Sequence, residues 1–313
     1  MSIAQAHPNI ALVKYWGKQS EADNVPATPS LSITLDTLRT TTQVSKTTGS
    51  DRVYLDNKLS DDLKITACLA TLRSTYDIPH LEIRTQNNFP TAAGLASSAS
   101  GFAALVTAIN AECELALDQK ALSVLARRTS GSAARSVFGG FVALEGPEWH
   151  ARSVLAADDW PLRVVVAITT TERKGTLSSK GMTLSKDTSP YYPAWVSGTH
   201  GDFQQGLEWV ATRNFTNLAT VSEHSCLKMH GLMLSTNPGL IYWNPATLAC
   251  IHTIRDLRAS GLPVFFTVDA GPQVKAICLP NAESSVRDAL ASVPGVQQVQ
   301  VAGLGIGASL IES

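Results

Sequence analysis

Cysteine is sparse and scattered. The five residues Cys68, Cys113, Cys226, Cys250 and Cys278 are odd in number and form no CxxC pair. They suggest neither a disulfide framework nor a zinc site. The seven histidines show no HExxH-type spacing either. Charge is thin: 16% of residues are charged and the formal net charge is −1. That leaves no global basic field for nucleic acid or an anionic membrane, so any anion site must be local. No apolar run approaches the ~20 residues that span a bilayer, and no secretory n-region and h-region opens the chain. A reducing cytoplasm is the expected compartment. The Walker pattern GxxxxGK[ST] is also missing, so a nucleotide site here would be of another type.

What is present is ample hydrophobic residue, 44% of 313, enough for one large or two ordinary domains. The pattern alternates short strands, such as Ile10–Val13, Ser32–Leu35, Thr40–Ser45 and Leu81–Arg84, with helical spacing at Asp61–Tyr76, Ser98–Cys113 and Asp118–Arg128. Leu162–Ile168 reads as a strand covered on both faces. A polar connection, Thr169–Ser189, follows it, and is either mobile or functional. Helices are then expected at Phe203–Val210, Leu218–Leu234 and Thr247–Ala259, with a strand pair around Asp269-Ala270-Gly271-Pro272. Ser284–Ala291 reads as a short helix, and Val299–Leu310 closes the chain with three glycines alternating at 303, 305 and 307. The reading is α+β in two lobes, 1–165 and 166–313.

Four segments carry candidate chemistry. Pro90–Gly101 is a small-residue, hydroxyl-rich loop running into a helical pattern. Exposed N–H groups at a helix N-terminus favour phosphate, and Ser97, Ser98 and Ser100 offer hydroxyl donors or help to hold a metal. Close helix packing explains the same loop. Asn9–Lys18 is a strand ending in Lys14 and Lys18 with Tyr15, Trp16 and Gly17 between them. The lysines either converge on anionic oxygens or are the solvated ends of an edge strand. Ser130-Gly131-Ser132 resembles a second anion cradle, with Arg135 just beyond it offering a planar fork for a carboxylate or phosphate. A basic helix end followed by a turn accounts for Arg127 and Arg128, but poorly for Arg135. Asp269, at the end of an apolar strand, needs a cationic partner if half-buried, or simply starts a turn.

Taken in order, Asn9–Lys18, Phe89–Leu105, Ser130–Val142 and Thr267–Pro272, together with the Ser-rich strand in Pro29–Asp36, resemble the diphosphomevalonate decarboxylase family of the GHMP kinase superfamily. The glycine-rich loop alone indicates the superfamily. The Lys-Tyr-Trp-Gly-Lys run and the Asp-Ala-Gly-Pro turn narrow it to the decarboxylase branch. The resemblance implies an N-terminal lobe like ribosomal protein S5 domain 2 and a ferredoxin-like C-terminal lobe. It implies ATP-dependent 3-phosphorylation of (R)-5-diphosphomevalonate, then loss of phosphate and CO2 to give isopentenyl diphosphate, with ATP and Mg2+ required and no dedicated protein cage for the metal.

By the same resemblance Asp269 orients the 3-hydroxyl and accepts its proton, Arg135 steadied by Asn9 holds the substrate carboxylate, and Lys14 lies near the reacting oxygens. Tyr15, Lys18, Ser130, Gly131 and Ser132 grip the terminal phosphates, while Gly94, Leu95, Ala96, Ser97, Ser98, Ser100 and Lys174 bind ATP. A homodimer is common in the family. Two departures stand out. Ser179 occupies a position where bacterial members often have an arginine on the diphosphate, with Lys174 or Lys180 to compensate. Thr129 and Ala134 replace the usual glycine and cysteine. The first leaves open a 5-phosphomevalonate decarboxylase. A kinase without decarboxylation and a non-catalytic nucleotide-binding regulator are the remaining alternatives, and the full Lys, Arg and Asp set argues against both.

Overall fold

The computed structural model describes residues 1–20, 23–89, 97–172 and 175–311. Strand order in the first sheet is 309–310, 2–6, 40–46, 81–87, 52–55 and 58–59, antiparallel except between 52–55 and 81–87. The second sheet is antiparallel, in the order 150–155, 141–145, 30–34 and 9–13. The helices Leu63–Arg73, Ser97–Glu112 and Gln119–Thr129 pack on the first sheet through Leu69, Leu105, Leu122 and their neighbours. Two of them begin on a side-chain cap. Asp62 accepts from the N–H groups of Lys64 and Ile65, and Asp118 accepts from that of Ala121.

The third sheet is antiparallel in the order 264–268, 274–278, 163–168 and 298–302. In chain order this is strand, helices, two strands, helix and strand, which is the ferredoxin-like βαββαβ arrangement. Its period-2 alternation separates two apolar faces. Val165, Phe266 and Ala276 meet the helices Pro245–Ala259 and Glu283–Ala291. Val164, Val166, Phe265 and Ile277 join Ile10, Leu31, Ile33 and Phe141 of the second sheet in one core. The two lobes are therefore held by a shared dry interface, and the site lies where strand ends from both reach its rim.

Several elements differ from the sequence reading. The polar connection folds into a helix from Ser178 to Thr188; its Ser, Lys and Gly content lacks the apolar period that marks a helix, yet Met182 and Ser185 are buried. The helix expected at Phe203–Val210 begins eleven residues earlier, as Tyr192–Ala211. Residue 165 falls inside the strand Arg163–Ile168, and the tail after Ala302 returns to the first two sheets. There Ser309–Leu310 pairs with Ser2–Ala6, and Gly305 bridges a strand end and a turn, its N–H donating to the Thr34 carbonyl and its own carbonyl accepting from the Gly140 N–H. A Cβ on Gly305 would collide with the Leu35 carbonyl. Gly305→Ala should therefore destabilise the protein by about 1–3 kcal/mol, the usual cost of overpacking, seen as a lower urea midpoint with unchanged m-value.

Candidate active site

A cleft of about 570 Å³ opens between the lobes, lined among others by Asn9, Lys14, Tyr15, Lys18, Ser97, Ser98, Ser130, Gly131, Ser132, Arg135 and Asp269. Asn9–Val13 is an edge strand of its sheet, but every residue in it is buried. Helix Phe215–Leu234 covers its end, where Ser225 accepts from the Lys14 N–H at 2.9 Å, and Thr267 donates to the Ala11 carbonyl at 3.2 Å. The lysines at its end are not solvated: Lys14 is 1% exposed and Lys18 is 8% exposed. The next residues are pinned as well. Trp16 donates to Ser185, and its carbonyl accepts from Trp195.

Lys14 Nζ lies 2.6 Å from Asp269 Oδ1, and Lys275 Nζ lies 3.2 Å from Asp269 Oδ2. Burial would raise the Asp269 pKa, but the two ammonium charges and the Lys14 hydrogen bond overcome it and hold the carboxyl far below the usual carboxylate range. Asp269 is thus ionised throughout the neutral range. It is strongly disposed to accept a hydrogen bond and is a weak base.

Arg135 is buried on the short helix Ala133–Ser136. Its Nε donates to Asn9 Oδ1 at 3.1 Å and an Nη donates to Ser30 Oγ at 2.8 Å. Asn9 is itself held by donation to the Ser132 carbonyl and Ser136 Oγ. Both of these anchors of Arg135 are neutral, so they orient the guanidinium without cancelling its charge. Burial lowers its pKa to about 10, and it stays cationic at neutral pH. The Tyr15 ring centroid is 6.0 Å from the guanidinium carbon. Gly131 lies against Tyr15 so closely that a Cβ there would strike the phenol hydroxyl.

Ser97 and Ser98 line the cleft at the first turn of the 16-residue helix Ser97–Glu112. Ser100 does not join them. It is fully buried, with its hydroxyl 2.7 Å from that of Thr40, because it faces the first sheet one turn along. Gly94, Leu95, Ala96 and Lys174 lie outside the described residues. Ser178 and Ser179 reach the cleft, whereas Lys180 is exposed and is not among its lining residues. Thr129 lines the cleft and Ala134 is buried. A long helix that begins with two hydroxyls at a cleft holding the buried cations Lys14, Lys18 and Arg135 among the described residues is an arrangement that favours an anion. No group of three His, Cys, Asp or Glu side chains able to hold a metal occurs among the described residues.

Sequence reasoning missed Lys275, Lys64 and Asn24. The last two line the cleft and carry no sequence signal. Lys275 did carry one: a lone lysine inside the apolar run Val274–Cys278 demands a buried carboxylate, and Asp269 is six residues away. Beneath the Asp269 turn, buried His230 places Nε2 3.2 Å from both the Val268 carbonyl and Trp243 Nε1.

Two lobes, a long helix that opens at the cleft between them and a lysine–aspartate pair across the join are the arrangement of an enzyme of the GHMP kinase fold. Residues 6–155 match the diphosphomevalonate decarboxylase-like N-terminal domain, and residues 164–301 match the mevalonate 5-diphosphate decarboxylase C-terminal domain. The chain belongs to the diphosphomevalonate decarboxylase family. The Candida albicans diphosphomevalonate decarboxylase is 36% identical over 290 residues, spanning 84% of this chain and 80% of its own. A solved structure of MDDEF in complex with MVAPP, AMPPCP and magnesium superposes with a TM-score of 0.93 at 36% identity, covering 100% of this chain and 99% of that one. A structure of the mevalonate diphosphate decarboxylase from Enterococcus faecalis gives a TM-score of 0.91 at 36% identity, with the same coverage.

Burial lowers the His230 pKa from 6.5 to about 3. Between those values the unfolded chain binds a proton that the native ring refuses, so stability falls as pH drops through that window. His230→Gln should reduce the slope of unfolding free energy against pH there by about 1.4 kcal/mol per pH unit, one proton's worth. Urea melts at successive pH values measure it.

Proposed function

We propose that this chain catalyses the ATP-dependent decarboxylation of (R)-5-diphosphomevalonate to isopentenyl diphosphate, a step of isoprenoid supply in the mevalonate pathway, in the cytoplasm. Among the described residues no helix is long and apolar enough to cross a membrane. The observation that carries the proposal is the cleft floor: an ionised Asp269 on Lys14, beside a buried Arg135 whose anchors leave its charge available. Family membership supports it. In this reading residues 1–165 form the nucleotide lobe and residues 166–313 the lobe carrying Asp269, with the tail returning to the first. A homodimer is the expected assembly.

Bound ATP and magnesium supply a phosphoryl group for the tertiary 3-hydroxyl and neutralise phosphate charge. Ser97 and Ser98, with the N–H groups of their helix, would hold those phosphates. Asp269 accepts the hydroxyl hydrogen bond and aims its oxygen. Its weak basicity suits a loose phosphoryl-transfer transition state, in which the hydroxyl proton passes to Asp269 late, as the new O–P bond forms. Lys14 offsets negative charge gathering on the reacting oxygens. The C3–O bond then breaks and phosphate leaves with the electron pair. The bond from C2 to the carboxylate breaks next, its electrons forming the C2–C3 double bond as CO2 departs. Arg135 holds that carboxylate, steadied by Asn9, while Tyr15, Lys18, Ser130, Gly131 and Ser132 grip the 5-diphosphate.

One observation favours a second substrate. Ser179, not an arginine, lines the cleft, which removes a charge-assisted contact from the distal phosphate and leaves 5-phosphomevalonate as the alternative. ATP-dependent CO2 release from the two substrates side by side decides between them. Preference for the diphosphate supports the proposal, preference for the monophosphate reassigns the substrate, and ADP formation without CO2 refutes decarboxylation. With the preferred substrate, Asp269→Asn should bind both substrates nearly normally while kcat falls by about 10²- to 10⁴-fold. Arg135→Gln should lose about 10- to 100-fold in kcat/KM, the worth of hydrogen bonds to a charged group, with an unchanged circular dichroism spectrum.

A further inference from the structure

Lys275 is the second residue of the strand Val274–Cys278, which lies between the strands 264–268 and 163–168, and is in register with Thr267 and Val166. Side-chain alternation turns it to the interface between the lobes, the face that carries Phe265, Ile277 and Val166. It is 1% exposed. A methionine would fill such a place without desolvating a charge, which costs several kcal/mol per ion even after relaxation. Packing therefore does not explain a lysine here; its contact with Asp269 Oδ2 at 3.2 Å does.

Resting on the proposed reaction, we propose that Lys275 is a positioning residue. It holds the Oδ2 side of Asp269 while Lys14 holds Oδ1, fixing the carboxylate plane and keeping the carboxylate charged at the substrate hydroxyl. With Lys14 alone, the side chain could turn about its last bond and lose its aim. Two lysines on opposite oxygens prevent that turn. They also leave the trio with a net charge of +1, which complements an anionic substrate.

Among the described residues, the charged and titratable groups facing Asp269 are Lys14 from the first lobe, Lys275 from its own sheet, Arg135 from the short helix, and His230 and Cys226 from helix Phe215–Leu234. Burial holds His230 neutral, raises the Cys226 thiol and pulls the Lys275 ammonium down against the attraction of Asp269, and the three cations Lys14, Lys275 and Arg135 oppose protonation of Asp269. Removing one must raise its pKa.

The test is Lys275→Met, with Lys275→Gln as a second variant in case the first does not fold. The side-chain carboxyl carbon of Asp269, followed by carbon-13 NMR in labelled protein, should show no titration above about pH 4 in the parent and a midpoint at least about one unit higher in the variant. This readout stands whether or not the enzyme turns over the expected substrate. In turnover assays kcat should fall by about 10-fold or more with KM for ATP within about twofold. In an Asp269→Asn background the same substitution should change kcat little, because Lys275 acts through Asp269. An unmoved Asp269 midpoint, an equal loss in both backgrounds, or failure of both variants to fold would make Lys275 a structural residue and overturn the proposal. Absence of CO2 release from the parent, with the midpoint shifting as expected, would instead count against the proposed reaction alone.

Discussion

Lys14 ends a strand of the first lobe, Asp269 ends a strand of the second, and their 2.6 Å contact requires the lobes to meet in one register. Such a pair is a poor source of stability, since desolvation of two ions offsets most of their attraction. Stability comes from the apolar interface behind it, where Ile10, Leu12 and Ile33 of one sheet pack with Val164, Phe265 and Ile277 of the other. The ion pair sits at the rim of that interface, which holds it in place and shields its Lys14 side from water. Thr267 on the Ala11 carbonyl and Ser225 on the Lys14 N–H tie the strand end to the second lobe with neutral hydrogen bonds. The polar contacts fix position and the apolar ones supply the free energy.

The same division of labour explains a local field in a chain of formal charge −1. Lys14, Lys275 and Arg135 lie in or beneath one cleft, and among the described residues Asp269 is the one carboxylate that lines it. Arg135 is the telling member. Asn9 and Ser30 were used to hold it, where an aspartate would have held it more strongly and neutralised it. In the proposed reaction the substrate carboxylate therefore meets a guanidinium already oriented, and little conformational entropy remains to be lost on binding.

Much of this could be read from the residues, because the informative segments are local. Lys14 and Lys18 flank an aromatic pair, Asp269 precedes a Gly-Pro turn, and Arg135 follows a Ser-Gly-Ser run; each combination is odd enough to need a reason. What could not be read depends on contacts distant in sequence. The helix Ser178–Thr188 has no apolar stripe of its own and is fixed by Trp16 on Ser185. The half of helix Tyr192–Ala211 before Phe203 carries Pro193, Gly198 and Gly201, which mask its period. Ser100 looked like a loop hydroxyl, but its partner Thr40 is sixty residues away. The tail strand exists only through pairing with residues at the opposite end of the chain.

Arg135 and Asp269 also constrain the order of events in the proposed reaction. A cation bound to the substrate carboxylate stabilises the charge that must vanish as CO2 forms, so by itself it favours the ground state over the transition state. Arg135 can then act through orientation, and the driving force must come from C3. Once the oxygen on C3 is phosphorylated it leaves as an anion, and the electron deficiency left at C3 lies beside the Asp269 carboxylate, which Lys14 and Lys275 hold. Without that deficiency the substrate carboxylate has nowhere to send its electrons. In the proposed reaction such a site suppresses decarboxylation of the unphosphorylated substrate, because Arg135 on the substrate carboxylate resists its loss until C3 demands it.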